Sequence, residues 1–191
     1  MQVSHRLAAP VITAGIAITS TLSGIPPVAL SQEFAIPQPI AAGHEELYAR
    51  MEAATRAGGA VGAAATAVME ALAPHFQKEE KYALPQLGLL PSLVGPPLAA
   101  EARELTPEQR EEVIVRTERL RAELPQMLKE HEAIAAALEN LREAAEAAGE
   151  TQIVRLAEEI GVHARTEEKV LYPAALLIGD YVRQKDDPVH P

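Results

Sequence analysis

Four histidines and two glutamates recur in this chain at spacings that suit metal coordination. His75-Phe76-Gln77-Lys78-Glu79-Glu80-Lys81 is followed by Pro85, ten residues after the histidine. His163-Ala164-Arg165-Thr166-Glu167-Glu168-Lys169 is followed by Pro173, again ten residues on. A His-Glu pair precedes each copy: His44-Glu45 lies 31 residues before His75, and His131-Glu132 lies 32 residues before His163. The two halves are therefore offset by 87 or 88 residues throughout. Helix positions four apart differ by only about 40° in azimuth, so each His-x-x-x-Glu offers an imidazole and a carboxylate from one face. One copy alone reads as a solvated i,i+4 pair. A duplicated set on faces otherwise rich in Ala and Leu does not, because buried charges need partners or a metal. The expected metal ligands are His44, His75, Glu79, His131, His163 and Glu167.

The chain has no cysteine, which excludes disulfides, thiolate clusters and cysteine nucleophiles. A donor set of imidazole and carboxylate suits iron, manganese or zinc. Structural zinc closes a four-ligand site, which six donors do not resemble. Two divalent ions bring four positive charges against two carboxylates, which favours a bridging oxide or hydroxide or an incoming anion. Two six-coordinate ions offer about twelve positions. Four imidazoles, two bridging carboxylates and a bridging oxygen fill about ten, leaving about two where a small ligand can bind and react. Tyr48, one turn after His44, and Tyr172, five residues after Glu167, are candidates to line such a pocket, or else ordinary core residues. Glu45 and Glu132 are candidates to orient imidazoles, or else solvent-facing acids.

These ligands need helices to carry them. Hydrophobic residues make up 48% of the chain and aromatics 3%, so the core must be built from Ala, Leu, Ile and Val. No convincing period-2 run marks a strand, and good helix formers dominate after residue 40. A first helix is expected from about Ile40 to Ala57, stopping at Gly58-Gly59, and a second from about Ala60 to Leu84, ended by Pro85. Pro74, directly before His75, would kink that helix or mark its restart. Residues 85–98 read as a loop. Thr106-Pro107-Glu108 starts an extra helix that Leu124-Pro125 should break or kink. Helix then resumes to Gly149, and a last one runs from about Glu150 to Val182, with a possible bend at Pro173. The expected fold is all-α, an antiparallel four-helix bundle with an internal pseudo-twofold repeat plus an extra helix in the central connection. That helix would cap the bundle or carry partner contacts. The bundle domain spans 37–183, and 184–191 form a flexible tail.

Residues 1–31 differ from the rest. They carry no acid, and an apolar stretch runs from Leu7 to Ile18. Ala29 and Ser31 fit the small-residue pattern of a cleavage site, so this segment reads as a signal peptide or a disordered leader. The location would be periplasmic or secreted in the first case and cytoplasmic in the second. No apolar run within the helical part is long enough to span a membrane. The net charge of −10 argues against a general nucleic-acid binder, which needs basic patches.

Taken together, His44, His75-x-x-x-Glu79, His131 and His163-x-x-x-Glu167 resemble the hemerythrin and HHE cation-binding domain pattern over about residues 40–182. The resemblance implies a non-haem di-iron centre of two iron ions, oxo- or hydroxo-bridged. In it, His44, His75, His131 and His163 would be terminal ligands, while Glu79 and Glu167 would bridge. It also implies a small diatomic or peroxide partner: O2, peroxide or NO, bound or turned over. Oxygen-carrying hemerythrins have a further histidine four residues from the counterpart of His131. Met127 and Ala135 occupy those positions here, which moves the expectation from oxygen carriage toward a more open centre. The alternative is an iron-responsive sensor or binding module in which metal occupancy controls folding or partner binding.

Overall fold

The computed structural model describes residues 35–94 and 105–186. The leader assigned to residues 1–31 and the last residues of the expected tail, 187–191, lie outside the described residues. All regular structure among the described residues is helical. Helix α1 (Gln38–Thr55) opens on Pro37. Gly58 and Gly59, at φ 74° and 55°, turn the chain where a residue with a Cβ would be strained. Helix α2 (Gly59–Lys78) runs through Pro74 without stopping and passes into a π-helical turn, Glu79–Ala83. A 3-10 turn (Pro85–Leu89) and the short α3 (Leu90–Val94) follow. Helix α4 (Pro107–Ala148) starts on a capping box in which Gln109 N–H donates to Thr106 Oγ1 at 3.2 Å and Thr106 N–H to Gln109 Oε1 at 2.8 Å. This satisfies two backbone donors that would otherwise be orphaned. It stops at Gly149, φ 73°, a left-handed C-cap. Helix α5 (Thr151–Thr166), a second π turn (Glu167–Leu171) and α6 (Tyr172–Asp186) form one continuous helical run.

The chain departs from expectation at Pro125. Helix α4 is a single helix of 42 residues with Pro125 inside it. The expected extra helix is thus the first half of α4, and residues 184–186 of the expected tail belong to α6. An interior proline costs about 3 kcal/mol through a lost hydrogen bond and a clash with the preceding turn. Packing offsets that cost. Val113, Leu120 and Met127 of α4 share one apolar cluster with Ala175, Ile178 and Val182 of α6. Burying each large aliphatic side chain contributes about 1.5–3 kcal/mol.

Helix α2 packs against α1 and α4, and α5 packs against α4 and α1. Helix α6 lies along the first half of α4, tied by Arg121–Asp180 at 2.7 Å and by Arg183–Glu118. Two apolar clusters result. One gathers Leu47, Met51, Val68, Leu72, Phe76, Ile134, Leu141 and Ile160. The other gathers Tyr82, Leu84, Leu87, Leu120, Met127, Tyr172 and Ile178. His44, Glu79, His131, His163 and Glu167 lie between them in sequence along the helical runs, with His75 next to Phe76 at the border, so these six form a polar layer within an apolar stack.

The α4–α6 approach is close enough to test. A Cβ at Gly179 would fall 2.0 Å from Thr117 Oγ1 and 2.4 Å from its Cγ2. Thr117 is buried and donates its hydroxyl to Val113 O at 2.7 Å. Gly179→Ala is therefore expected to cost about 1–3 kcal/mol by overpacking, read as a lower urea midpoint with helicity retained. An unchanged midpoint would mean that the two helices do not approach this closely in solution.

Candidate metal centre

The structure brings all six sequence-derived residues into one layer. His44 comes from α1, His75 from the end of α2, His131 from the middle of α4 and His163 from α5. Glu79 and Glu167 each begin a π turn. His44, His75, Glu79, His131 and Glu167 are at most 4% exposed, and the side chain of His163 is 20% exposed.

The donors form two groups. His75, Glu79, His131 and Glu167 present ligand atoms within 4.8 Å of one another, and so do His44, His163 and Glu167. The imidazoles pair accordingly, with ring centroids 4.4 Å apart for His75–His131 and 4.9 Å for His44–His163. Each carboxylate spans both pairs. Glu79 Oε1 lies 3.3 Å from His75 Nε2 and 3.9 Å from His131 Nε2, while Oε2 lies 3.8 Å from His44 Nε2. Glu167 Oε1 lies 2.8 Å from His163 Nε2 and 3.2 Å from His44 Nε2, while Oε2 lies 3.7 Å from His131 Nε2.

Hydrogen bonding leaves this layer incomplete. Glu79 Oε2, Glu167 Oε2 and His163 Nε2 are buried with no hydrogen-bond partner among the described residues. His163 Nε2 comes close to Glu167 without the geometry of a hydrogen bond. Buried polar atoms in native structures are nearly always paired, so donors left unpaired toward a shared point fit a cation. Burial opposes charge on His44 and His75, but Glu167, Glu79 and their other carboxylate neighbours outweigh it and hold both imidazoles above their ordinary value. Burial likewise pushes Glu167 up, yet His163 and His44 pull it down to about 2. The layer is anionic carboxylate facing imidazole, the charge arrangement a divalent ion would meet.

A second set of acids holds the rings from outside. His75 Nδ1 lies 3.0 Å from Glu130 Oε2, His131 Nδ1 lies 2.9 Å from Glu168 Oε1, and His44 Nδ1 lies 3.2 Å from Glu80 Oε1. Burial works to raise Glu130, but Lys78, His75 and Gln126 hold its carboxyl at about 2. Glu45 and Glu132, the candidates for this role from the sequence, are both exposed and fit the alternative of solvent-facing acids. The Glu-Glu doublet repeated in both halves was the available signal for Glu80 and Glu168; nothing marked Glu130.

Of the two tyrosine candidates, Tyr48 is 41% exposed and Tyr172 is 1% exposed. Tyr172 donates its hydroxyl to Glu79 Oε1, and its Oη stands 3.4 Å from both His75 Nε2 and His131 Nε2. Burial, then the charges of Glu79 and Glu167, push this phenol well above its usual range. The π turn explains its position. Tyr172 N–H bonds to Glu167 O, five residues back, so the turn holds one extra residue. The fifth residue after Glu167 then takes the face that the fourth would occupy in an α-helix. Pro173 lacks an N–H, and Pro85 repeats the arrangement with Leu84 N–H on Glu79 O at 2.9 Å. Such π turns recur at functional sites.

A family model described as the hemerythrin HHE cation binding domain matches residues 42–175. No curated protein and no solved structure matches the chain.

Proposed function

This chain belongs to the hemerythrin HHE cation-binding domain family, and from that premise we propose that it is a non-haem di-iron protein that binds or reacts with O2, peroxide or NO. Its frame is an antiparallel four-helix bundle of α1, α2, the second half of α4 and α5, with the pseudo-twofold of the sequence repeat. The observation that carries the reading is that each glutamate turns one oxygen to each imidazole pair. His75, His131, Glu79 Oε1 and Glu167 Oε2 would hold one ion. His44, His163, Glu167 Oε1 and Glu79 Oε2 would hold the other. When bound, an iron pair supplies reversible redox chemistry toward small oxygen and nitrogen-oxide ligands.

The chain's own residues set the conditions. Glu130, Glu168 and Glu80 accept from the Nδ1–H of three imidazoles, which fixes the tautomer and turns each Nε2 lone pair inward. Leu72, Phe76, Ile134 and Ile160 line the site beside His75, His131, His163 and Glu167 and leave no room for a water molecule there, which keeps bulk water off the donors. Anaerobic iron loading with metal analysis, followed by ultraviolet-visible spectra on exposure to O2, peroxide and NO, tests the reading. Fewer than about one iron per chain, or no oxo-bridge absorption, would sink it. Glu130→Gln is expected to weaken iron binding about 10–100-fold, read by competition with a chelator. An unchanged affinity would show that Glu130 does not support His75.

One observation favours a second reading. The polar layer takes a donor from each of four helices and interrupts an apolar stack, so occupancy would tie those helices together, as an iron-responsive sensor requires. A large iron-dependent gain in helicity, without turnover of small oxidants, would favour that role.

A further inference from the structure

We propose that Tyr172 is a fifth protein donor to the ion held by His75 and His131, binding through its phenolic oxygen. The proposal rests on the di-iron reading above. A first-row ion bonded to imidazole nitrogen at about 2.0–2.1 Å holds neighbouring donors roughly 3 Å apart. Tyr172 Oη stands 3.4 Å from His75 Nε2, 3.4 Å from His131 Nε2 and in short contact with Glu79 Oε1. Those three atoms are ones that would hold this ion, and Oη keeps a neighbouring-donor separation from all of them at once. A phenol that only satisfied Glu79 needs one such contact. The Tyr172 ring is also fixed in place, stacked on His131 at 5.9 Å and 17° and carried by the π turn. On binding, the phenolic O–H bond is exchanged for an oxygen–metal bond and the proton passes to solvent.

The pseudo-twofold makes this donor one-sided. Tyr172 and Leu84 are counterparts: each directly precedes the proline of its repeat, and each donates its N–H to the carbonyl of the repeat's glutamate. Leucine offers no donor atom. The ion held by His44 and His163 thus lacks the fifth protein ligand and is the one left open to an incoming small molecule.

The test uses the full chain loaded with iron, quantified by metal analysis and oxidised to the ferric state with ferricyanide. The wild type should show a broad visible phenolate-to-ferric charge-transfer band with resonance-enhanced tyrosine ring modes. Tyr172→Phe should lose both while keeping helicity and most of its iron. Tyr82→Phe removes another buried phenol, one lying under Arg119, and should keep both. Iron uptake by the wild type without the band, or a band that survives Tyr172→Phe, overturns this proposal alone. Failure of the wild type to take up iron overturns the di-iron reading and this proposal with it. The wild-type spectrum decides even where Tyr172→Phe does not fold.

Discussion

Glu167→Gln is expected to empty both half-sites of iron while leaving the helices in place. Glu167 is 1% exposed, and its two oxygens face opposite imidazole pairs. Glutamine keeps the volume and removes the charge, so packing is spared. The charge matters because Glu79 and Glu167 are the only carboxylates among the six donors, and losing one halves the negative charge set against two cations. A neutral amide also offers one acceptor oxygen in place of two. Metal analysis after anaerobic loading should find less than about half an iron per chain in Glu167→Gln. His163→Gln is the informative contrast. His163 lines only the half-site it shares with His44, and among the described residues no carboxylate supports its ring as Glu80, Glu130 and Glu168 support the others. That variant should keep about one iron. If Glu167→Gln retained two irons, or if the two variants lost iron equally, Glu167 would not be shared between the ions.

The six candidate ligands were legible in the sequence because their chemistry is rare in a core and their spacing was doubled. A buried carboxylate facing buried imidazole is costly without a partner, so recurrence at a fixed offset pointed to one purpose. The outer acids were not legible for the opposite reason. Glu80, Glu130 and Glu168 look like any acids on a solvated helix face, and only the fold tells them from Glu45 and Glu132. Tyr172 was visible as a candidate but out of phase, since five residues is the wrong interval on an α-helix. The π turn at Glu167 restores the phase, and backbone geometry of that kind leaves no direct mark beyond a proline six residues on. Pro125 shows the converse. Its local preference for a break is plain in the sequence, and the packing of α4 against α6 overrides it. Local signals located the donors, and tertiary context decided which neighbours reach them.

The two charge states of the site should give iron-loaded and iron-free protein opposite responses to acid. In the iron-free chain, His44 and His75 are held above the unfolded value of 6.5 by their carboxylate neighbours. A group raised on folding contributes stability that is full below its unfolded pKa and lost as pH rises through its folded one. Iron-free protein should therefore gain stability as pH falls from those raised values toward 6.5. Glu167, held at about 2, contributes stability above the ordinary carboxylate range that is lost only as pH falls toward 2, so it does not reverse the trend near neutrality. In the loaded chain, iron requires the same imidazoles deprotonated, and protons compete with it. Iron affinity should fall by up to tenfold per pH unit for each proton displaced, starting at the raised histidine values. An ion at a hundredfold over its dissociation constant adds about 2.7 kcal/mol, or roughly 5–11 °C of midpoint at about 2–4 °C per kcal/mol in a chain of this size. Thermal melts of both forms at pH 8, 7 and 6 should show a gap of that order per ion at pH 8 that narrows with each step down. The narrowing should come from both sides, the loaded midpoint falling and the iron-free one rising. A constant gap would mean that the ions do not bind through these imidazoles. A gap that narrowed only because the loaded form fell would mean that the carboxylates do not hold His44 and His75 protonated in the empty site.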